Sequence, residues 1–242
     1  MSPQEEDKNL TIIVPVYNEA ECLDQFRLEM DRFLSETPVK TRVLFVDDGS
    51  TDHSIEIIKT IHALIPSYEY IGLKTNRGLS TAIKAGIDFC QTNLLGYIDA
   101  DLQTLPNDFG QMLQWLPEFD MVNGIRIRRQ DTKVKKLSSK IANTYRKQML
   151  NDGIQDTCCP LKIIKTEYAR KIPFFNGMHR FLPALVQYQG GKVKQVPVRH
   201  FPRYAGTAKY NLRNRLLGPF IDTFAVIWMK RRYIRYNLVR SS

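Results

Sequence analysis

The sequence predicts an α/β protein built on a doubly wound, Rossmann-like mixed sheet, and three observations carry that prediction. Apolar runs of strand length alternate with segments of helical spacing through the first half of the chain. Nearly every run ends in a loop rich in Asp, Asn, Ser or Gly. The chain has 242 residues, 43% apolar and 25% charged, enough for one globular unit with a full core. In such sheets the loops at the carboxyl ends of the strands bind ligands.

Taken in order, Leu10 to Val16 reads as a strand that runs into Tyr17-Asn18-Glu19, and Ala20 to Leu34 shows helical spacing through Cys22, Leu23, Phe26, Met30 and Phe33. Arg42 to Val46 is a second strand, closed by Asp47-Asp48-Gly49-Ser50-Thr51-Asp52, whose Ser50, Thr51 or Asp52 is a candidate cap for a helix from Ser54 to Leu64. Tyr68 to Leu73 is a third. After it, Gly78 allows close backbone approach to a ligand, and a helix of small residues continues to Cys90. Leu94 to Ile98 leads into Asp99-Ala100-Asp101-Leu102-Gln103. Here carboxylates one residue apart and a further oxygen at Gln103 form a hard-oxygen pattern suited to Mg²⁺ or Mn²⁺ shared with phosphates. A helix to Trp115 and a strand from Phe119 to Gly124 follow, and Arg126 opens a basic segment with a helix expected from Val134 to Met149. Beyond it lie a strand (Leu161 to Ile164), a helix starting near His179-Arg180-Phe181, a strand (Lys192 to Val198) and a loop from Arg203 to Lys209. Gly218-Pro219 splits the tail, with Pro219 in the first turn of a last amphipathic helix. The expected organisation is a disordered tail over 1–9, a catalytic unit over 10–210 and a helical tail over 211–242. The catalytic unit divides into a nucleotide-binding half (10–125) and an acceptor half (126–210).

The net charge of +10 is concentrated. Arg126 to Lys147 holds nine Lys or Arg against one acid, and Arg199 to the end holds ten against Asp222 alone. Such blocks suit a polyanionic partner: a phosphorylated substrate, the anionic face of a membrane or a nucleic acid. Nucleic acid is disfavoured, because Tyr145, Tyr204, Tyr210 and Tyr233 are too scattered to stack bases. Phe220, Phe224, Ile227 and Trp228 fall on one helical stripe ahead of Lys230, Arg231 and Arg232, which suits a membrane interface; packing on the core or in a homo-oligomer is the open alternative. No apolar run approaches the roughly 18 residues of a membrane span, and no export signal is visible. The expectation is therefore a cytoplasmic protein, peripheral on the membrane face. Cys22, Cys90, Cys158 and Cys159 lack zinc-site spacing and are expected to be reduced.

Together these motifs resemble the family 2 glycosyltransferases, whose nucleotide-diphospho-sugar fold is of the type called GT-A. The likeness is nearest to the branch that makes polyprenyl-phosphate sugars, such as the dolichol-phosphate mannose synthases and the undecaprenyl-phosphate sugar transferases, and it spans Ile12 to Tyr210. It implies an inverting transfer of a hexose-type sugar from a GDP- or UDP-linked donor to a polyprenyl phosphate, with Mg²⁺ or Mn²⁺. Matched residue by residue, it places Pro15, Tyr17, Glu19, Val46 and Asp48 at the nucleotide and Asp99 and Ala100 against the nucleotide-sugar. Asp101 and Gln103 fall on the metal, and Arg126, Arg203 and Lys209 on the phosphates. Ala208 replaces the family's serine, and Asp156-Thr157-Cys158-Cys159 stands where relatives often have Asp-Thr-Gly. A phosphate acceptor needs little help from a base, and His179-Arg180 suits it; a glycan hydroxyl is the alternative acceptor, with Asp156 as candidate base. A basic nucleic-acid-binding protein and an inactive sugar-nucleotide sensor are the readings from other classes.

Overall fold

A computed structural model describes residues 9–127, 144–206 and 212–234. Seven strands form one sheet: β1 (Asn9–Val16), β2 (Lys40–Asp47), β3 (Tyr68–Gly72), β4 (Leu94–Tyr97), β5 (Met121–Arg126), β6 (Lys162–Lys165) and β7 (Val193–Val198). Their order is β3-β2-β1-β4-β6-β5-β7. β6 alone is antiparallel to its neighbours β4 and β5, so the other six strands deliver their carboxyl ends to one edge. The first residue of β6, Lys162, arrives at that same edge, opposite Tyr97.

The helices are α1 (Ala20–Glu36), α2 (Ser54–Leu64), α3 (Leu79–Phe89), α4 (Asp108–Leu113), α5 (Thr166–Arg170), α6 (Leu182–Tyr188) and α7 (Leu212–Arg232), with a 3₁₀ turn at Met178–Arg180. Residues 144–150 are also helical. Alternation along β1 divides the core. Leu10, Ile12 and Val14 pack with Phe26 and Met30 of α1, Ile58 of α2 and Phe109 of α4 on one face. Ile13 packs with Ala82, Ile83 and Ile87 of α3, and with Tyr97, Met178, Phe181 and Val226, on the other.

Several local expectations need correction. The cap of α2 is His53 without a side-chain bond. Asp52 instead accepts Ser54 N–H (3.0 Å) and Ala20 N–H (3.2 Å), fastening the starts of two helices. The tail is not split at Gly218-Pro219, since α7 is continuous across both residues for 21 residues. Burial of Thr223 and Val226 against the body outweighs the propensity cost. Ile227 leaves the exposed stripe to pack on the core, while Phe220, Ile221, Phe224 and Trp228 stay exposed. Cys158 is not among the residues with positive φ, so its turn carries no left-handed strain where relatives place glycine. All four cysteines are free thiols. Most of the basic segment lies outside the described residues.

Candidate active site

Strand ends bring the polar loops together. Asn18, at φ 51°, turns β1 into α1, and its side-chain oxygen accepts Thr51 N–H at 2.7 Å. Asp48 is buried, and its two oxygens accept the backbone N–H groups of Arg77 and Gly78, each at 2.8 Å. Gly49, at φ +69°, has room for no side chain, because a Cβ there would lie 2.6 Å from the Thr75 backbone. The β1, β2 and β3 loops are thus one bonded unit. A cleft of about 390 Å³ opens beside it, lined by Tyr17, Asn18, Glu19, Asp52 and Gly206 among others. Pro15 and Val46 are register partners in β1 and β2 just below this edge.

At the centre, β4 ends in the two carboxylates. Tyr97 Oη donates to Asp99 Oδ1 at 2.7 Å. Desolvation raises the Asp99 pKa, against the pull of that bond and of Lys162, Arg126 and Arg203. Asp101 is 5% exposed, and Leu102 follows it with φ 58°. Gln103 N–H donates to Asp101 Oδ1 at 3.1 Å. Burial first, and then the charge of Asp99, push the Asp101 carboxyl up to about 6. Arg203 answers part of this charge: its guanidinium lies 3.0 Å from Asp101 Oδ2 and donates to both Glu19 oxygens at 3.2 Å. Burial alone would lower the Arg203 pKa, but Asp101 and Glu19 outweigh it and raise it. Backbone bonds hold the same loop on the acidic turn, Tyr204 N–H to Asp101 O at 3.3 Å and Phe201 N–H to Gln103 O at 3.0 Å.

Arg126 closes β5 and forms a bidentate pair with Asp156, with Nε to Oδ2 and Nη2 to Oδ1 both at 2.8 Å. Asp156 Oδ2 also accepts Arg126 N–H at 3.3 Å. Burial works against the guanidinium charge here, but the carboxylate raises the Arg126 pKa above its ordinary value. The expected base is therefore the partner of an expected phosphate ligand. His179 Nδ1 lies 2.8 Å from Ser80 Oγ, and desolvation, with the charges of Arg180 and Lys162, lowers its pKa to about 3. Its ring is neutral at neutral pH, so the anticipated basic pair reduces to Arg180.

Two contributors escaped the sequence reading. Lys162 is 1% exposed, donates to Cys159 O and lies 5.8 Å from the Tyr97 ring centroid. A lysine inside an apolar strand signals a buried charge, but neither its partner Tyr97 nor the site it joins is local in sequence. Ser80, on the helix after Gly78, is likewise defined by contacts about a hundred residues away. Lys209 lies outside the described residues.

The donor set fits a hard dication. Asp101 is a buried carboxylate strained by a like charge, Ala100 lies beside it, and Gln103 adds an amide oxygen. Among the described residues no group of three or more His, Cys, Asp or Glu is placed to hold an ion. An ion here would complete its shell with substrate oxygens, as Mg²⁺ commonly does.

The Glycosyl transferase family 2 model matches residues 11–173. The undecaprenyl-phosphate 4-deoxy-4-formamido-L-arabinose transferase of Yersinia pestis is 29% identical over 228 residues, covering 92% of this chain and 68% of the relative. The dodecaprenyl-phosphate galacturonate synthase of Rhizobium johnstonii is 27% identical over 237 residues, with 92% and 67% covered. Among solved structures, the mannosyl-3-phosphoglycerate synthase of Rubrobacter xylanophilus superimposes with TM-score 0.72 at 18% identity, covering 96% of this chain and 77% of that one. A mannosyltransferase of Pyrobaculum calidifontis in complex with GDP-Man and Mn²⁺ gives TM-score 0.69 at 17% identity, covering 96% and 67%. These likenesses establish the GT-A fold. With its family pattern matched from β1 past β6, the chain belongs to glycosyl transferase family 2 and is a glycosyltransferase.

Proposed function

We propose that this glycosyltransferase moves a sugar from a nucleotide-diphospho-sugar to a polyprenyl phosphate at a membrane surface. Both curated relatives carry a prenyl phosphate in their names, and the two structural neighbours include one with GDP-Man bound. The observation that carries the reading is the state of Asp156. It is the carboxylate that the sequence offers on the acceptor side, and Arg126 engages both its oxygens. A sugar hydroxyl would need such a base to become nucleophilic, whereas a phosphate monoester, with a second pKa of roughly 6, arrives as an anion.

In this reading the Tyr17 to Glu19 loop and the Asp48-fastened loops hold the nucleoside. Asp101 and Gln103 would hold Mg²⁺ or Mn²⁺, whose chemistry there is neutralisation of the leaving diphosphate. Arg203 sits between Glu19 and Asp101, so its charge reaches the same leaving group from a loop that packs over the acidic turn. Asp99, fixed by Tyr97, orients the donor sugar. The acceptor oxygen attacks the anomeric carbon as the diphosphate departs, with inversion.

Support for the membrane surface comes from α7. Its exposed Phe220, Ile221, Phe224 and Trp228 precede the exposed Lys230, Arg231 and Arg232, an apolar strip beside cations. Among the described residues no helix is long and apolar enough to cross a membrane.

The test is transfer of labelled sugar from UDP- and GDP-linked donors, with and without Mn²⁺, to undecaprenyl phosphate, undecaprenol or a soluble oligosaccharide. Label should enter organic-extractable product only with the lipid phosphate. Transfer to the oligosaccharide instead would overturn the acceptor assignment.

A further inference from the structure

The turn at residues 176–181 is clamped from two sides. On one side Ser80 Oγ, near the start of α3, accepts Gly177 N–H at 3.0 Å and contacts His179 Nδ1. On the other, Asp222 of α7 presses against Gly177: a Cβ there would lie 2.6 Å from Asp222 Oδ2, and the φ of +95° already disfavours a side chain. The same Asp222 Oδ2 lies 3.7 Å from Arg180 Nη1, with side chains 22% and 20% exposed. That separation is an ion-pair distance rather than a hydrogen bond. Asp222 is also the one acid among ten Lys and Arg from Arg199 onward. A carboxylate set against the acceptor-side turn, at the only such position in a basic tail, calls for a specific role.

We propose that Arg180 is the ligand for the phosphate of the acceptor, and that Asp222 is an internal anion occupying this site until the acceptor arrives. The inference rests on the polyprenyl-phosphate reading and adds to it a residue pair and an exchange. Its position suits the task. Met178, Phe181 and Val226 share one apolar cluster with Tyr97, whose hydroxyl holds Asp99. The charge of Lys162 acts on both Asp99 and His179, placing the turn beside the reacting centre. His179 is neutral and does not compete for the anion. A phosphate monoester carries more charge than a carboxylate and has three oxygens for the guanidinium fork, so it displaces a partner that makes one long contact.

Calorimetric titration of the full chain with farnesyl monophosphate, below its micelle concentration, tests this against farnesol and inorganic phosphate. Wild-type protein should bind the monophosphate in preference to both controls. Asp222→Asn should bind it at least about threefold tighter, because a competing charge is gone. Arg180→Gln should weaken it about tenfold or more, and adding Asp222→Asn to that variant should restore nothing. Unchanged or weaker binding by Asp222→Asn, with nucleotide binding intact as the check on folding, would overturn the exchange, since a purely structural Asp222 predicts that sign. Full affinity in Arg180→Gln would overturn the site. Farnesyl monophosphate binding no better than farnesol would instead sink the acceptor reading, and equal binding of inorganic phosphate would remove the lipid from it.

Discussion

Replacing Asp101 with Asn should remove activity and yet stabilise the ligand-free fold. The carboxyl is 5% exposed and its pKa is raised from 3.8 to about 6, by burial and by Asp99. Each unit is worth about 1.4 kcal/mol, so holding this group ionised costs the folded chain roughly 3 kcal/mol at neutral pH. The sign follows from the raised value. Between pH 4 and 6 the folded state keeps a proton that the unfolded chain has lost, so the penalty is absent below about pH 4 and complete above about pH 6. Asn keeps an oxygen for Gln103 N–H while its amide NH₂ takes the place of the oxygen that met Arg203, so that one contact is lost and Glu19 still holds the guanidinium. Net gain should be about 1–3 kcal/mol at pH 7.5, a rise in Tm of several degrees for a chain this size. Thermal unfolding in chelator at pH 7.5 and pH 5.0 measures it, and the advantage of the variant should shrink at the lower pH. Added Mn²⁺ should raise Tm for the wild type and not for the variant. A variant less stable than wild type at pH 7.5, or an advantage unchanged at pH 5.0, would refute the reasoning.

Arg203→Ala should lower turnover by about 10²–10³ with a smaller loss in nucleotide affinity, read from kcat against a binding isotherm; equal losses would assign Arg203 to ground-state binding. Asp156→Ala leaves Arg126 buried without its partner and should cost about 3–5 kcal/mol in urea unfolding. Lost activity with unchanged stability would return Asp156 to the role of a base. Sedimentation with anionic vesicles should fall as salt rises and drop when Phe224 and Trp228 become Ser, because exposed charges are screened beyond roughly 8 Å at physiological ionic strength. Equal recovery in the supernatant with and without vesicles would count against membrane docking.

What the sequence made legible was local. Period-2 and period-3.6 patterns located most strands and helices within a few residues, and the loops at their ends gathered Glu19, Asp48, Asp99, Asp101 and Arg203 at one edge. What stayed hidden depended on pairing between distant segments. The insertion of β6 between β4 and β5 brings Lys162 beside Tyr97, and no pattern around Lys162 announces that neighbour. Asp156 stands in the sequence as a candidate base for a hydroxyl acceptor, because its partner Arg126 lies 30 residues earlier and nothing local pairs the two. The unbroken course of α7 through Gly218-Pro219 reflects burial of Thr223 and Val226, which outweighs two helix-breaking residues.

The placement of β6 also bears on how the molecule folds. This strand follows β5 in the chain but lies inward of it, zipped to β4 on one side and β5 on the other. A ribosome that has released only the first 126 residues has made a β4 whose outer edge waits for a partner and a β5 with no neighbour to join. Such an edge is open to pairing with other chains until residues 162–165 emerge. The loops of the candidate site thus depend on a later segment for a closed sheet, and the chain should melt in one cooperative step, leaving no stage at which half of the enzyme is finished.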